Sequence, residues 1–141
     1  MMESKQFYVY ISSADSTDYF PDNEPSKFTV KLPETLRLRG KWQLALCEIQ
    51  YPSIQKKKKK PEQLLILCDL CQDSIVGEKR LPVLRRMRYE EPGNTSFGIF
   101  YYVSLKTQEA DRITVYIKTE KGEEPSFESG KLLCTLHFQH V

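Results

Sequence analysis

Alternation of apolar and polar residues with a period of two recurs along the chain, and it constrains the fold more than any other feature. In QFYVYIS, Phe7, Val9 and Ile11 fall on one face, and Tyr8 and Tyr10 fall on the other. The same pattern occurs in KFTVKLP, RITVYIK and KLLCTLHF. Because successive side chains of a strand point to opposite faces, this period predicts strands with one buried face. Helical periodicity is weak throughout.

One stretch, KWQLALCEIQY, is apolar on both faces. Leu44 and Leu46 share one face, and Ala45, Cys47 and Ile49 share the other. This pattern predicts a central strand covered on both sides, with a short helix as the alternative. The segments QLLILCDL, KRLPVLRRM and GIFYYVSL complete a count of about eight short strands.

Prolines separate these segments, except for Pro82, which lies inside one and predicts an edge strand or a bulge there. About eight strands with turn residues between them indicate a sandwich or a barrel, and eight is the strand number of a jelly roll. The sequence therefore predicts an all-β fold, a single jelly-roll β-sandwich of about eight antiparallel strands. We expect one domain over residues 1–141, in which strand-rich halves 5–52 and 63–139 are joined by a basic loop, 53–62.

Five consecutive lysines are the most conspicuous charged feature, namely Lys56, Lys57, Lys58, Lys59 and Lys60. The whole chain has a net charge of +2, and without the run it has 16 basic and 19 acidic residues, a net charge of −3. The basic character is therefore local, which argues against a domain whose whole face binds nucleic acid. Three interpretations of the run stay open: a solvated loop, a nuclear-import signal, or direct contact with DNA or RNA.

The four cysteines and the N-terminus bear on cellular location. The N-terminal residues MMESKQ lack an apolar signal core, and no apolar run approaches the length that spans a membrane. We therefore expect free thiols in a reducing compartment, a protein that is not secreted, and no membrane partner.

Cys68 and Cys71 have Cys-x-x-Cys spacing, and together with His137 and His140 near the C-terminus they are a candidate Cys₂His₂ zinc site. Residues i and i+3 of a strand point to opposite faces, which opposes such a site. We expect instead buried or half-buried thiols and an outward-facing His137, with no metal and no cofactor. No nucleophile adjoins the histidines in sequence, and no glycine-rich phosphate loop is present, so the chain is not expected to be an enzyme.

The N-terminal third resembles the opening of a known family, the penton or minor capsid proteins of Polinton/Maverick-type transposons and adintoviruses. The residues that carry the resemblance are an aromatic first strand, Leu32-Pro33, Leu38-Arg39-Gly40-Lys41-Trp42 and Glu48-Ile49-Gln50-Tyr51-Pro52. The C-terminal half is similar to the same family in CDLCQDSIVGEKRLPVLRRM, YYVSL and FESGKLLCTLHF. The family's long middle region is reduced here to SIQKKKKKPEQLLIL. The chain thus resembles a shortened form that lacks the middle insertion.

The resemblance implies a structural function. It implies a jelly roll that assembles as a pentamer at capsid vertices and contacts the major capsid protein, in a virion or in the host nucleus or cytoplasm. Candidate subunit-contact residues are Tyr8, Tyr10, Tyr101 and Tyr102, although tyrosines are equally typical of sheet faces. The alternative function is a non-enzymatic β-sandwich module that engages nucleic acid or a protein partner through the Lys56–Lys60 loop.

Overall fold

The computed structural model describes residues 5–141, and in this range the chain forms strands and no α-helix. Eleven strands follow one another along the chain. They are β1 (Gln6–Ser12), β2 (Lys27–Arg37), β3 (Trp42–Tyr51), β4 (Gln63–Cys68), β5 (Ser74–Val76), β6 (Lys79–Leu81), β7 (Val83–Arg88), β8 (Gly93–Ser96), β9 (Val103–Ser104), β10 (Glu109–Thr119) and β11 (Leu133–His140). The described range therefore contains no helix that could cross a membrane.

Two antiparallel sheets pack face to face as a sandwich. The first sheet has the order β1-β11-β3-β8, with β9 added beside β3, and the second has the order β2-β10-β4-β7. The strands β5 and β6 form a separate hairpin. The predicted all-β sandwich is thus confirmed.

The strand pairing follows jelly-roll connectivity. β1 pairs with β11 and β2 with β10, and β3 then pairs with β8 and β4 with β7. The first four of these strands therefore pair with the last four in reverse order, as in one long hairpin that has been rolled up. Each sheet consequently combines strands that are distant in sequence.

The core lies between the sheets and is built by the alternation seen in the sequence. In β10, Ile113, Val115 and Ile117 are fully buried and face the core, while Arg112 is exposed on the opposite face. Phe138 of β11 stacks on Phe7 of β1, with ring centroids 4.9 Å apart. Burial of each such side chain stabilises the fold by about 1.5–3 kcal/mol.

The central strand β3 departs from the predicted alternation. Its register with β11 shifts between Leu46 and Glu48, so Cys47 is the extra residue of a β-bulge. The bulge turns Ile49 toward the core, where it packs with Leu44 and Leu46. The prediction that Ile49 shares a face with Ala45 and Cys47 was therefore wrong, because a bulge reverses every position beyond it.

Pro82 lies where an edge strand or a bulge was predicted. It separates β6 from β7, the edge strand of the second sheet, and its carbonyl accepts the Cys68 N–H at 3.0 Å. The register between β4 and β7 shifts at Ile66/Leu67. A residue without an N–H is tolerated here because no ladder bond is lost.

The segment 98–105 is mostly not the strand that its composition predicted. Only Val103–Ser104 pair with β3, and the strand beside the other end of β3 is the polar Gly93–Ser96. Gly93 lies so close to Tyr51 that an added Cβ would overlap the tyrosine ring. The segment was misassigned because its aromatic side chains pack in different directions, as described below, and do not alternate across a sheet.

Candidate interaction surfaces

The lysine run lies in the connection between β3 and β4. All five side chains are exposed, and a turn is formed where the Lys58 N–H donates to the Gln55 carbonyl. Lys60 Nζ lies 2.8 Å from Glu91 Oε2, and this hydrogen bond lowers the pKa of the Glu91 carboxyl. The run is therefore a solvated connection that is tied to the rest of the fold at its last lysine.

Acidic residues surround the end of the lysine run. Lys59 and Lys60 line a shallow cavity of about 240 Å³ together with Glu62, Glu120 and Glu123. Glu120 is directed at the backbone, because one of its carboxylate oxygens accepts the Glu62 N–H at 2.6 Å. The charge at this end of the sandwich is consequently mixed, which weakens a purely electrostatic function for the run alone.

Tyr8 and Tyr10 lie on the outer face of β1, at one edge of the first sheet. Their side chains are 52% and 72% exposed, and their rings stack with centroids 6.4 Å apart. We call this pair the β1 patch. The pair is available to a partner, and tyrosines are equally typical of sheet faces and of contact surfaces.

Tyr102 extends the aromatic surface across the same sheet. Its hydroxyl lies 2.7 Å from His137 Nδ1, and the Tyr8 ring covers the imidazole at 4.6 Å. His137 Nε2 lies 2.9 Å from Gln6 Oε1, an acceptor, so Nε2 carries the proton and Nδ1 accepts from Tyr102. His137 faces outward as predicted, yet it is buried beneath these side chains, and burial lowers its pKa.

Tyr101 points away from the other three tyrosines and packs on Arg85 of β7. The Arg85 guanidinium lies 4.2 Å from the Tyr101 ring centroid and 3.6 Å from that of Phe97. Its Nη1 donates a 2.7 Å hydrogen bond to the Ile99 carbonyl. The clamped segment presents Ile99, which is 68% exposed, together with Tyr101 at the edge opposite β1. We call Ile99 and Tyr101 the loop patch.

Arg85 has a structural position that the sequence did not suggest. It is paired with Ile66, a core residue of β4, so it occupies an inward-facing position on an edge strand. Burial lowers the pKa of the guanidinium, and its buried Nε has no hydrogen-bond partner among residues 5–141. Arg85 is half-buried, and its guanidinium packs against the Phe97 and Tyr101 rings at the edge of the sandwich. Only the neighbouring aromatic residues at 97–101 could have signalled this contact.

Polar groups line the remainder of the first sheet's outer face. A cavity of about 530 Å³ is bordered by Tyr10, Glu48 and Thr135, among others. Glu48 accepts hydrogen bonds from the Thr135 hydroxyl at 2.8 Å and the Ser96 hydroxyl at 3.3 Å. The outer face therefore combines an aromatic half with a polar half.

The residues considered for zinc lie apart. Cys68 and Cys71 are buried in the core, and the adjacent Cys71 thiol raises the pKa of Cys68. His137 and His140 belong to β11 in the other sheet. Within residues 5–141, no group of three or more potential ligands is close enough to hold a metal, and all four cysteines are free and buried.

No protein-family model matches the chain, and no curated protein matches it. Its function must therefore be inferred from its topology and its surfaces.

Proposed function

We propose that the chain is a penton-like minor capsid protein that assembles into a ring of five subunits. The observation that carries the proposal is jelly-roll connectivity combined with two different exposed apolar patches at opposite edges. The resemblance of the sequence to Polinton/Maverick and adintovirus penton proteins supplies the number of subunits. In a virion, the ring would contact the major capsid protein.

The positions of the two patches favour a head-to-tail contact. The β1 patch lies at the first edge of the first sheet, and the loop patch follows β8 at the other edge. A two-fold dimer uses the same surface on both subunits, whereas two different surfaces on opposite sides generate a ring or a filament. The β1 patch of one subunit is therefore proposed to contact the loop patch of the next.

The proposal is tested by measuring the mass of the assembly for the wild-type chain and for single-substitution variants. Sedimentation velocity of the purified chain at rising concentration should give a ring, and Tyr10→Asp or Ile99→Asp should each give monomers. Ile75→Asp is the matched control, because Ile75 is 72% exposed and belongs to the separate β5–β6 hairpin rather than to either patch.

Mixing the two variants distinguishes the contact modes. Tyr10→Asp keeps an intact loop patch and Ile99→Asp keeps an intact β1 patch, so an equimolar mixture should form heterodimers that cannot grow. A wild-type chain that stays monomeric at high concentration would refute the assembly proposal. Assembly that survives both substitutions would refute the assigned contact.

The alternative function is a monomeric module that engages nucleic acid through Lys56–Lys60. The exposure of these lysines supports it, and the carboxylates around Lys60 weaken it. A monomer that binds DNA only through this loop would favour the alternative.

A further inference from the structure

The outer face of the second sheet carries an unexpected concentration of positive charge. Outward positions alternate with the core residues of each strand, and six of them are basic. They are Lys27 and Lys31 of β2, Arg112 and Lys118 of β10, and Arg86 and Arg88 of β7. The segments 27–31, 63–67, 83–88 and 112–118 contain no Asp or Glu. We call these six residues the basic face.

Strand register arranges the basic face in two groups. Lys31 is directly opposite Arg112, and Lys118 and Arg86 are both paired with Leu65 of the strand between them. Arg88 follows on the same side of β7. Arg112 and Lys118 are six positions apart on β10, a distance of about 20 Å along an extended strand. Three strand spacings, about 14 Å, separate β2 from β7.

The basic side chains are available to a ligand. Five are exposed and Lys118 is half-buried. The ion pairs within residues 5–141 are Arg37–Glu109 and Lys60–Glu91, so none of the six is neutralised by a direct partner. Lys31 rests its ammonium on the Tyr19 ring at 4.4 Å, which holds it without cancelling its charge.

Carboxylates lie around this surface, and two of them are engaged by hydrogen bonds. Asp69 accepts the Thr114 N–H at 2.9 Å, and Glu124 accepts a hydrogen bond from the Ser26 hydroxyl. The Ser26 bond and the nearby Lys118 and Lys27 lower the pKa of Glu124. Asp111, at the β10 bulge, and Glu34 of β2 line a cavity together with Lys31 and Arg112, at one end of the basic face.

The two outer faces of the sandwich are electrically different. The four main strands of the first sheet, β1, β11, β3 and β8, contain no Lys or Arg at all. The chain as a whole has 21 basic and 19 acidic residues, so composition does not account for the bias. The fold itself has placed an excess of positive charge on one face.

We infer that the basic face binds the phosphate backbone of double-stranded nucleic acid without reading its sequence. Lys and Arg side chains at these spacings are suited to neutralising phosphates. The electrostatic contribution of such contacts to the binding free energy does not depend on the nucleotide sequence. Single strands bind through stacking on exposed aromatic rings; the strands of this face place one aromatic residue outward, Tyr116, which is half-buried, and the exposed ring beside them, Tyr19, is covered by the Lys31 ammonium. A duplex also presents more charge per unit length, so it is the preferred ligand.

The lysine run extends the same surface. It immediately precedes β4, whose first residue, Gln63, is paired with Arg88. Lys56–Lys60 therefore lie beyond the Arg88 end of the basic face and add to it. This inference is independent of ring assembly, because it concerns a single subunit.

The test is fluorescence anisotropy of a labelled 24-base-pair duplex with the full chain over a salt series. Contact with about five phosphates gives a slope of about −4.5 when the logarithm of the association constant is plotted against the logarithm of the salt concentration. The affinity should therefore fall about 500-fold between 50 and 200 mM salt. Arg86→Gln/Arg88→Gln should reduce the slope to about −2.7, and Lys31→Gln/Arg112→Gln should do the same. Arg39→Gln/Lys41→Gln removes equal charge from the β2–β3 connection and should leave the slope unchanged.

Other outcomes overturn the inference. If the control pair weakens binding as much as the face pairs, only net charge matters. If replacing Lys56–Lys60 with glutamine abolishes binding and the face pairs have no effect, the loop alone is the site. If poly-glutamate competes as well as unlabelled duplex, the partner is an acidic protein. Absence of binding at 50 mM salt overturns the inference outright, and two duplexes of unrelated sequence should bind equally.

Discussion

The clamp formed by Arg85 permits a prediction in which the loop patch and the stability of the fold can be measured separately. Arg85→Met keeps an unbranched apolar stem but removes the guanidinium from between Phe97 and Tyr101. The charged hydrogen bond to the Ile99 carbonyl contributes about 1.5–3 kcal/mol, and each ring contact about 0.5–1 kcal/mol at a partly exposed site.

A second effect of Arg85→Met partly offsets this loss of unfolding free energy. The substitution also removes a half-buried charged group whose Nε has no hydrogen-bond partner among residues 5–141. Removing the desolvation penalty of such an unpaired donor stabilises the fold by about 1–3 kcal/mol. The expected net loss in the free energy of unfolding is therefore about 1–2 kcal/mol. Urea unfolding measures it, with an unchanged slope against denaturant if both states keep their compactness.

Hydrogen exchange measures the local effect of the same substitution. Amides of residues 97–101 should lose more protection than the global loss explains, since their anchor is gone. The control is Arg86→Met on the adjacent outward position, which should change the unfolding free energy by less than about 0.5 kcal/mol. An Arg85→Met variant with wild-type stability and unchanged exchange at 97–101 would refute the account of the clamp.

Two further predictions concern the first sheet. Gly93→Ala should destabilise the fold by about 2 kcal/mol or more, because the new Cβ overlaps the Tyr51 ring, while Gly98→Ala, with open space around it, should cost less than about 0.5 kcal/mol in urea unfolding. Burial lowers the pKa of His137, so the unfolded chain binds more protons than the folded chain as pH falls below about 6.5. The stability contributed by neutral His137 should therefore be present above that pH and be lost below it. Unfolding free energies between pH 7.5 and 5 should fall more steeply for the wild type than for His137→Gln, and parallel curves would contradict this assignment.

The candidate surfaces were partly predictable from the sequence. Tyr8 and Tyr10 belong to one strand, so their shared outer face follows from the period of two. Tyr102 reaches the same surface only because β9 pairs with β3 and places its ring over His137. Tyr101, its neighbour in sequence, is drawn to the opposite side by Arg85. Contacts between residues this far apart in sequence leave no local periodic signal.

The sequence by itself determined the strand character of β1, β2, β10 and β11 and the all-β class, because side-chain alternation is a local property of an extended backbone. Only the tertiary structure decided where that alternation breaks, as at the Cys47 bulge, and which strands lie side by side. Lys31, Arg86 and Arg112 form one surface because β2, β10, β4 and β7 are neighbours in the jelly roll. Charge that looks balanced along the chain is thus sorted onto one face by long-range pairing, which depends on the whole core rather than on any segment.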